Sequence, residues 1–188
     1  VQTCALPILL GDDDTEANYG LLSIAAKIRE DREGTDIKII DFNIIDKEIR
    51  KTKNRAINKQ DIDLELNKYS AYIIGISFMT CSYGVWGQEI IESARKIADY
   101  VFLGGIHPTV RYKQVINETQ GYIDGIIVGE GEYVFSWLVE KILDGNGNFK
   151  INPSIYTGQE SPIRSVLDNR QLAELPLPAY DLMYDEED

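Results

Sequence analysis

Cysteine is scarce. Only Cys4 and Cys81 occur, far apart and each without a cysteine neighbour, which excludes a disulfide framework and any cysteine-built zinc or iron-sulfur ligand set within these residues. A reducing compartment suits such a chain, so a cytoplasmic location is expected. Histidine is scarcer still: His107 stands alone and leaves little material for a catalytic triad. Positive charge is in deficit, with 19 Lys and Arg against 31 Asp and Glu and a net charge of -12. Nucleic-acid affinity comes largely from cations that release condensed counterions, so no nucleic-acid partner is expected. The same deficit speaks against an anionic membrane surface. No apolar run approaches the roughly 20 residues needed to span a bilayer, and the N-terminus has no basic region leading into a long apolar stretch.

Two further absences concern ligands. No Gly-x-Gly-x-x-Gly opens the first helix, and no glycine-rich loop ends in Lys-Ser or Lys-Thr, so dinucleotides and nucleoside triphosphates lose their usual signatures. There is no nucleophile elbow either.

What is present is a rhythm of short apolar runs and amphipathic segments. Ala5 to Leu10, Ile37 to Phe42, Ala71 to Ser77, Val101 to Leu103 and Tyr122 to Val128 read as buried strands, since strands covered on both faces are nearly continuous in apolar residues. Between them, Leu21, Ile24, Ala25 and Ile28, then Ile90, Ala94, Ile97 and Ala98, then Val134, Trp137, Leu138 and Ile142 recur at helical spacing. The second helix is placed from near Tyr83 or Gly84, and another from Pro108 and Thr109 to about Glu118, proline suiting a first helical turn. Asn43 to Tyr69 is charged and loosely periodic, and helix is expected over strand. Gly145-Asn146-Gly147 ends the third periodic helix. Strand-helix alternation predicts an α/β fold with a five-stranded parallel sheet and helices on both faces.

After Phe149 the character changes. Ile155 to Gly158 reads as a short strand, Gln171 to Glu174 as a helical turn, and Leu175-Pro-Leu-Pro-Ala-Tyr180 as extended, because residues before proline are pushed away from helix. Residues 1–149 are therefore assigned to one domain and residues 150–188 to an extension and linker.

Ligands of open α/β sheets bind beyond the carboxyl ends of the strands. Gly11-Asp12-Asp13-Asp14, Ser77, Gly104-Gly105 and Gly129-Glu130-Gly131-Glu132 all fall there. Paired glycines at a strand end let a bulky ligand approach the backbone, or make a tight turn. The aspartates match one loop of a response-regulator receiver, yet a receiver needs an aspartate where Ser77-Phe78-Met79-Thr80 stands and a lysine where Gly129-Glu130-Gly131 stands. Glu130 and Glu132 fit the start of a helix, whose dipole stabilises carboxylates. Gly129 and Gly131 are the stronger contact candidates, because backbone N–H groups at such a turn can meet a phosphate or a propionamide.

Gly75-Ile-Ser-Phe-Met-Thr80, Leu103-Gly-Gly-Ile-His-Pro-Thr109, Asp124-Gly-Ile-Ile-Val-Gly-Glu-Gly-Glu132 and Leu175-Pro-Leu-Pro-Ala-Tyr-Asp-Leu182, in this order, resemble the N-terminal cobalamin-binding domain of cobalamin-dependent radical SAM enzymes. Similarity extends through Tyr19 to Ala26 and Ile37 to Asn43. The resemblance implies a flavodoxin-like (Rossmann-like) sheet of order 2-1-3-4-5, with cobalamin held so that its nucleotide tail lies between sheet and helices. Ser77 and Gly104-Gly105 match the serine and double glycine of the cobalamin-binding pattern. The histidine that this pattern places in the first loop, as the lower cobalt ligand, has no counterpart in Gly11 to Tyr19. The cofactor-binding assignments are Ser77, Thr80, Gly104, Gly105, His107, Pro108, Thr109, Gly129, Glu130 and Gly131, with His107 either touching the corrin or capping the Gly-Gly turn. No residue is assigned to catalysis or to metal ligation.

The resemblance further implies a radical SAM core in the same polypeptide, carrying S-adenosylmethionine and a [4Fe-4S] cluster on three cysteines absent from these residues. The chain is thus expected to be a fragment, not catalytic alone, of an enzyme that transfers a methyl group or performs a radical rearrangement. The alternative is a receiver-like or cofactor-free interaction domain on the same fold.

Overall fold

Runs of β-branched and aromatic residues covered from two sides make the sheet of this protein, for which a computed structural model describes residues 3–9, 19–79, 86–145 and 147–183. In chain order the elements are β1 (Thr3–Leu9), α1 (Tyr19–Asp31), β2 (Asp36–Asp41), α2 (Phe42–Lys53), α3 (Lys59–Leu66), β3 (Ala71–Phe78), α4 (Gln88–Ile97), β4 (Tyr100–Gly104), α5 (Ile106–Glu118), β5 (Gly125–Ile127), α6 (Glu132–Leu143), β6 (Ile155–Tyr156) and α7 (Asn169–Glu174). The sheet runs β2-β1-β3-β4-β5-β6. β1 pairs in parallel with β2 and β3, β3 with β4, and β4 with β5, whereas β6 is antiparallel to β5.

The expected sheet of five parallel strands is therefore corrected to six. Ile155–Tyr156 is long enough for two register pairs, Ile126↔Tyr156 and Ile127↔Ile155, which a pattern read from sequence does not place in a sheet. β5 is also shorter than the predicted Tyr122 to Val128. The Asp124 carboxylate accepts from the backbone N–H of Val101 at 2.8 Å and pairs with Arg95, while the Asp124 N–H donates to the Val101 carbonyl. A side chain thus takes the place of a ladder partner, and regular pairing begins only at Gly125.

Asn43 to Tyr69 holds two helices, as the preference for helix required. Asp41 caps α2 by accepting from the N–H groups of Asn43 and Ile44, and Asn58 opens α3 with a capping box to Asp61. α5 starts at Ile106, two residues before the predicted start, because Gly105 carries φ +88 and turns the chain directly from the strand into the helix.

Two cores flank the sheet. Under α2 to α5 lie Phe42, Ile62, Ile74, Ile76, Phe78, Ile90, Leu103 and Val115; under α1 and α6 lie Ala25, Ile28, Ile73, Phe102, Phe135, Leu138 and Val139. Side chains alternate between faces along a strand. In β3 the second position of each pair is large, Ile74, Ile76 and Phe78, and fills the first core.

From Phe149 on, Phe149, Ile155 and Ala179 pack onto the α1 and α6 side, whereas Tyr156 joins the other core edge-on to Tyr112 of α5. Phe149 stands edge-on to Phe102 with centroids 5.1 Å apart. Ser165 bridges to Gly129, Ala179 is buried and donates its N–H to the Leu22 carbonyl, and Tyr133 donates its hydroxyl hydrogen to the Gln171 carbonyl. Among the described residues no helix is long and apolar enough to cross a membrane.

Candidate functional site

The alternation that fills one core empties part of the other side. On the α1 and α6 face, β3 presents Ile73, then Gly75, then Ser77, and β4 presents Phe102, then Gly104. Side-chain volume therefore falls away toward the carboxyl ends of both strands. Ser77 and Gly104 are register partners, as are Gly75 and Phe102, so the small residues lie side by side. The result is a pocket of about 160 Å³ that opens to solvent. Its floor is Gly75, Ser77, Phe102 and Gly104; α1 supplies Gly20, Leu21 and Ile24, and the start of α6 supplies Gly131, Glu132 and Phe135.

The two adjacent glycines differ in role. A Cβ built on Gly104 meets nothing within 4 Å among the described residues, so this position opens onto the pocket. A Cβ on Gly105 would fall 2.7 Å from the Phe78 carbonyl oxygen, 2.8 Å from Ser77 Oγ and 2.9 Å from the Phe78 nitrogen. Gly105 lets the chain cross the end of β3 without displacing Ser77.

The Gly129–Glu132 turn is already bonded within the protein. Gly129 N–H donates to Thr109 Oγ1 at 3.1 Å and Glu130 N–H to the Ser165 carbonyl at 3.0 Å. The Gly129 donor expected to meet a phosphate is therefore engaged, while the N–H groups of Gly131 and Glu132 lie near the Glu132 carboxyl. Gly129 has φ +103 and a Cβ there would fall 2.1 Å from the Ser165 carbonyl oxygen, so this glycine accommodates the passing extension. Gly131 lets α6 approach Ile24 of α1, 3.0 Å from where a Cβ would stand.

Glu132 is the chemically unusual lining residue. Burial pushes its carboxyl above the usual carboxylate range, and the nearby Glu130 charge adds to this, against the two nearby backbone N–H groups that lower it. Its Oε2 is shut off from solvent and has no hydrogen-bond partner among the described residues.

Of the assigned residues, Ser77, Gly104, Gly105, Gly129, Glu130 and Gly131 line the pocket together. His107, half-buried in the first turn of α5, and the buried Pro108 do not line it. Thr109 acts from behind, through Gly129. Thr80, Cys81 and the Gly11 to Asp14 loop lie outside the described residues. Sequence reasoning missed the walls, Gly20, Leu21, Ile24 and Phe135, and set the lining residue Glu132 aside as a helix-start carboxylate. For Gly75 a signal existed: a glycine inside a strand marks close approach of another group.

The pattern of the B12 binding domain family matches residues 14–139. An uncharacterized methyltransferase of Pyrococcus horikoshii is 28% identical over 174 residues, covering 87% of this chain and 33% of that protein. The chain thus spans about a third of the length of that relative. Among solved structures, the radical S-adenosylmethionine methyltransferase TsrM from Kitasatospora setae, with cobalamin and a [4Fe-4S] cluster bound, matches with a TM-score of 0.61 at 18% identity over 89% of this chain and 30% of that one. The same enzyme with tryptophan substrate and a SAM analogue bound matches with a TM-score of 0.60 at 19% identity, over 86% of this chain and 29% of that one.

Proposed function

The chain belongs to the B12 binding domain family, and on that premise we propose that it presents cobalamin to a radical SAM core elsewhere in the same polypeptide, for methyl transfer or a related radical rearrangement. The five parallel strands, in the order β2-β1-β3-β4-β5, are read as a flavodoxin-like sheet to which β6 is an addition. The observation that carries the reading is the open space over Gly104 beside Ser77, between the sheet and α1 and α6.

The residues fit such a ligand. The broad macrocycle would stay outside while the narrower nucleotide tail would run between the sheet and the helices, and the space over Gly104 would be filled by any larger side chain. Ser77 offers a hydroxyl, Leu21, Ile24, Phe102, Ile127 and Phe135 offer apolar walls, and Gly105 lets the turn pass without displacing Ser77. The chemistry cobalamin supplies when bound is alkyl-group transfer or radical rearrangement; the protein contributes binding, orientation and exclusion of water.

Two experiments test the reading. The purified chain is mixed with hydroxocobalamin and passed through gel filtration; retained corrin absorbance is expected, and its absence would count against the whole proposal. Sequencing the gene beyond Asp188 is expected to find three cysteines spaced Cys-x-x-x-Cys-x-x-Cys. A continuation without them would remove the radical SAM assignment while leaving cobalamin binding intact.

A further inference from the structure

Buried polar groups in proteins nearly always have a hydrogen-bond partner, and an exception calls for a reason. Glu132 is such an exception inside the pocket. The backbone N–H groups of Gly131 and of Glu132 itself lie near enough to its carboxyl to oppose the effect of burial, yet its Oε2 has no hydrogen-bond partner among the described residues. A buried, ionised oxygen in that position would be costly, whereas a protonated one is a donor that needs a single acceptor.

The charged groups around it do not neutralise it. Glu130, on the same turn, opposes ionisation. On α1, the neighbouring helix, Lys27 is occupied by Glu30 and Asp31 at 2.8 and 2.6 Å and sits over the Tyr133 ring. From the extension, Arg164 reaches the Gly129 side of the turn.

We propose that Glu132 is a ligand-reading residue: on ligand entry its side chain turns so that the carboxyl O–H donates a hydrogen bond to an acceptor atom on the nucleotide tail of cobalamin seated over Gly104. This rests on the cobalamin reading and assigns the pocket its polar contact from the helix side, opposite Ser77. The preference for the neutral acid fixes the sign of its pH dependence. Affinity is full while Glu132 is protonated and falls as pH rises through its raised pKa.

The test is equilibrium binding of hydroxocobalamin and of cobinamide, which lacks the nucleotide tail, to the wild-type chain, Glu132→Gln and Glu132→Leu, with thermal melts beside each. Glu132→Gln keeps a donor and is expected to retain affinity with no fall across roughly pH 5 to 9. Glu132→Leu is expected to weaken cobalamin by about tenfold, the size of one hydrogen bond, and to leave cobinamide unchanged. Glu132→Leu binding cobalamin as tightly as wild type overturns the proposal, as does an equal loss for cobinamide, which would put the acceptor on the macrocycle. If the wild-type chain retains no corrin, the family-level reading fails first. If Glu132→Leu does not fold, the pH profiles of wild type and Glu132→Gln decide, because identical profiles refute the neutral donor.

Discussion

Replacing Gly104 by valine separates the ligand from the fold more cleanly than any other substitution in the pocket. The added Cβ meets nothing within 4 Å among the described residues, and Gly104 ends a strand, where valine is favoured over glycine by about 0.5–1 kcal/mol. The folded state should therefore keep its melting temperature or gain slightly. A ligand that fills the same space must be displaced or must strain its surroundings. Overpacking a well-filled site costs about 1–3 kcal/mol, which corresponds to a Kd about 5- to 150-fold weaker.

The neighbouring position supplies the control. Alanine at Gly105 must adopt φ +88 and place a Cβ within 2.9 Å of three atoms of Ser77 and Phe78. With ψ -176 this is a backbone region adopted essentially by glycine alone, which costs about 1–3 kcal/mol for a residue with a Cβ, and overpacking adds about 1–3 kcal/mol, so Gly105→Ala should lose about 2–6 kcal/mol of stability. Hydroxocobalamin titration by corrin absorbance, paired with thermal melting, reads both effects. If Gly104→Val stays folded and binds with unchanged affinity, the ligand does not use this pocket. If Gly105→Ala melts like wild type, the division of labour between the two glycines is wrong.

Other outcomes follow from the packing. Gly129→Ala drives a Cβ to 2.1 Å from the Ser165 carbonyl and should release that segment, read as new protease cleavage between residues 150 and 183; an unchanged digestion pattern contradicts the reading. Ala179→Asp places an unpaired charge against the α1 and α6 core and should cost at least about 2 kcal/mol in denaturant unfolding. Arg55, donating two hydrogen bonds at 2.5 and 2.8 Å, holds the Asp61 carboxyl down at about 2. A depressed pKa contributes stability present above the unfolded value of 3.8 and lost as pH falls through about 2. Wild type should therefore lose more stability than Asp61→Asn across that window, and parallel acid curves would refute the pairing.

Much of the architecture was legible because it rests on local pattern. β3 and β4 are apolar runs covered on both faces, and periodic Leu, Ile and Val marked α1, α4 and α6. What escaped depended on partners distant in sequence. Tyr122 and Ile123 look like strand residues, yet the Asp124 carboxylate intercepts the Val101 N–H and delays the ladder. Ile155 to Gly158 was legible as a short strand, but its two residues in β6 carry no periodicity that could place them beside β5. At the site, Ser77 and Gly104 could be read as small residues at strand ends. That Gly129 yields to Ser165, and that its N–H is spent on Thr109, could not, because both partners lie at least 20 residues away.

The same contacts tie the extension to the pocket. Leu21 and Gly129 line it, and the extension grips both places from outside: Ala179 N–H donates to the carbonyl of Leu22, the residue after Leu21, and Ser165 brackets Gly129 by accepting from Glu130 and donating to Val128. Tyr180 adds an edge-on contact to Tyr19 at the start of α1, and Asp181 pairs with Arg29 on the same helix. The surface ion pair contributes little by itself; the backbone bonds and the buried Ala179 fix the position of α1. Because α1 forms one wall and the sheet the floor, the spacing between them depends on residues that are neither wall nor floor. A change in the Leu175 to Leu182 segment therefore reaches the pocket through α1, without touching the ligand.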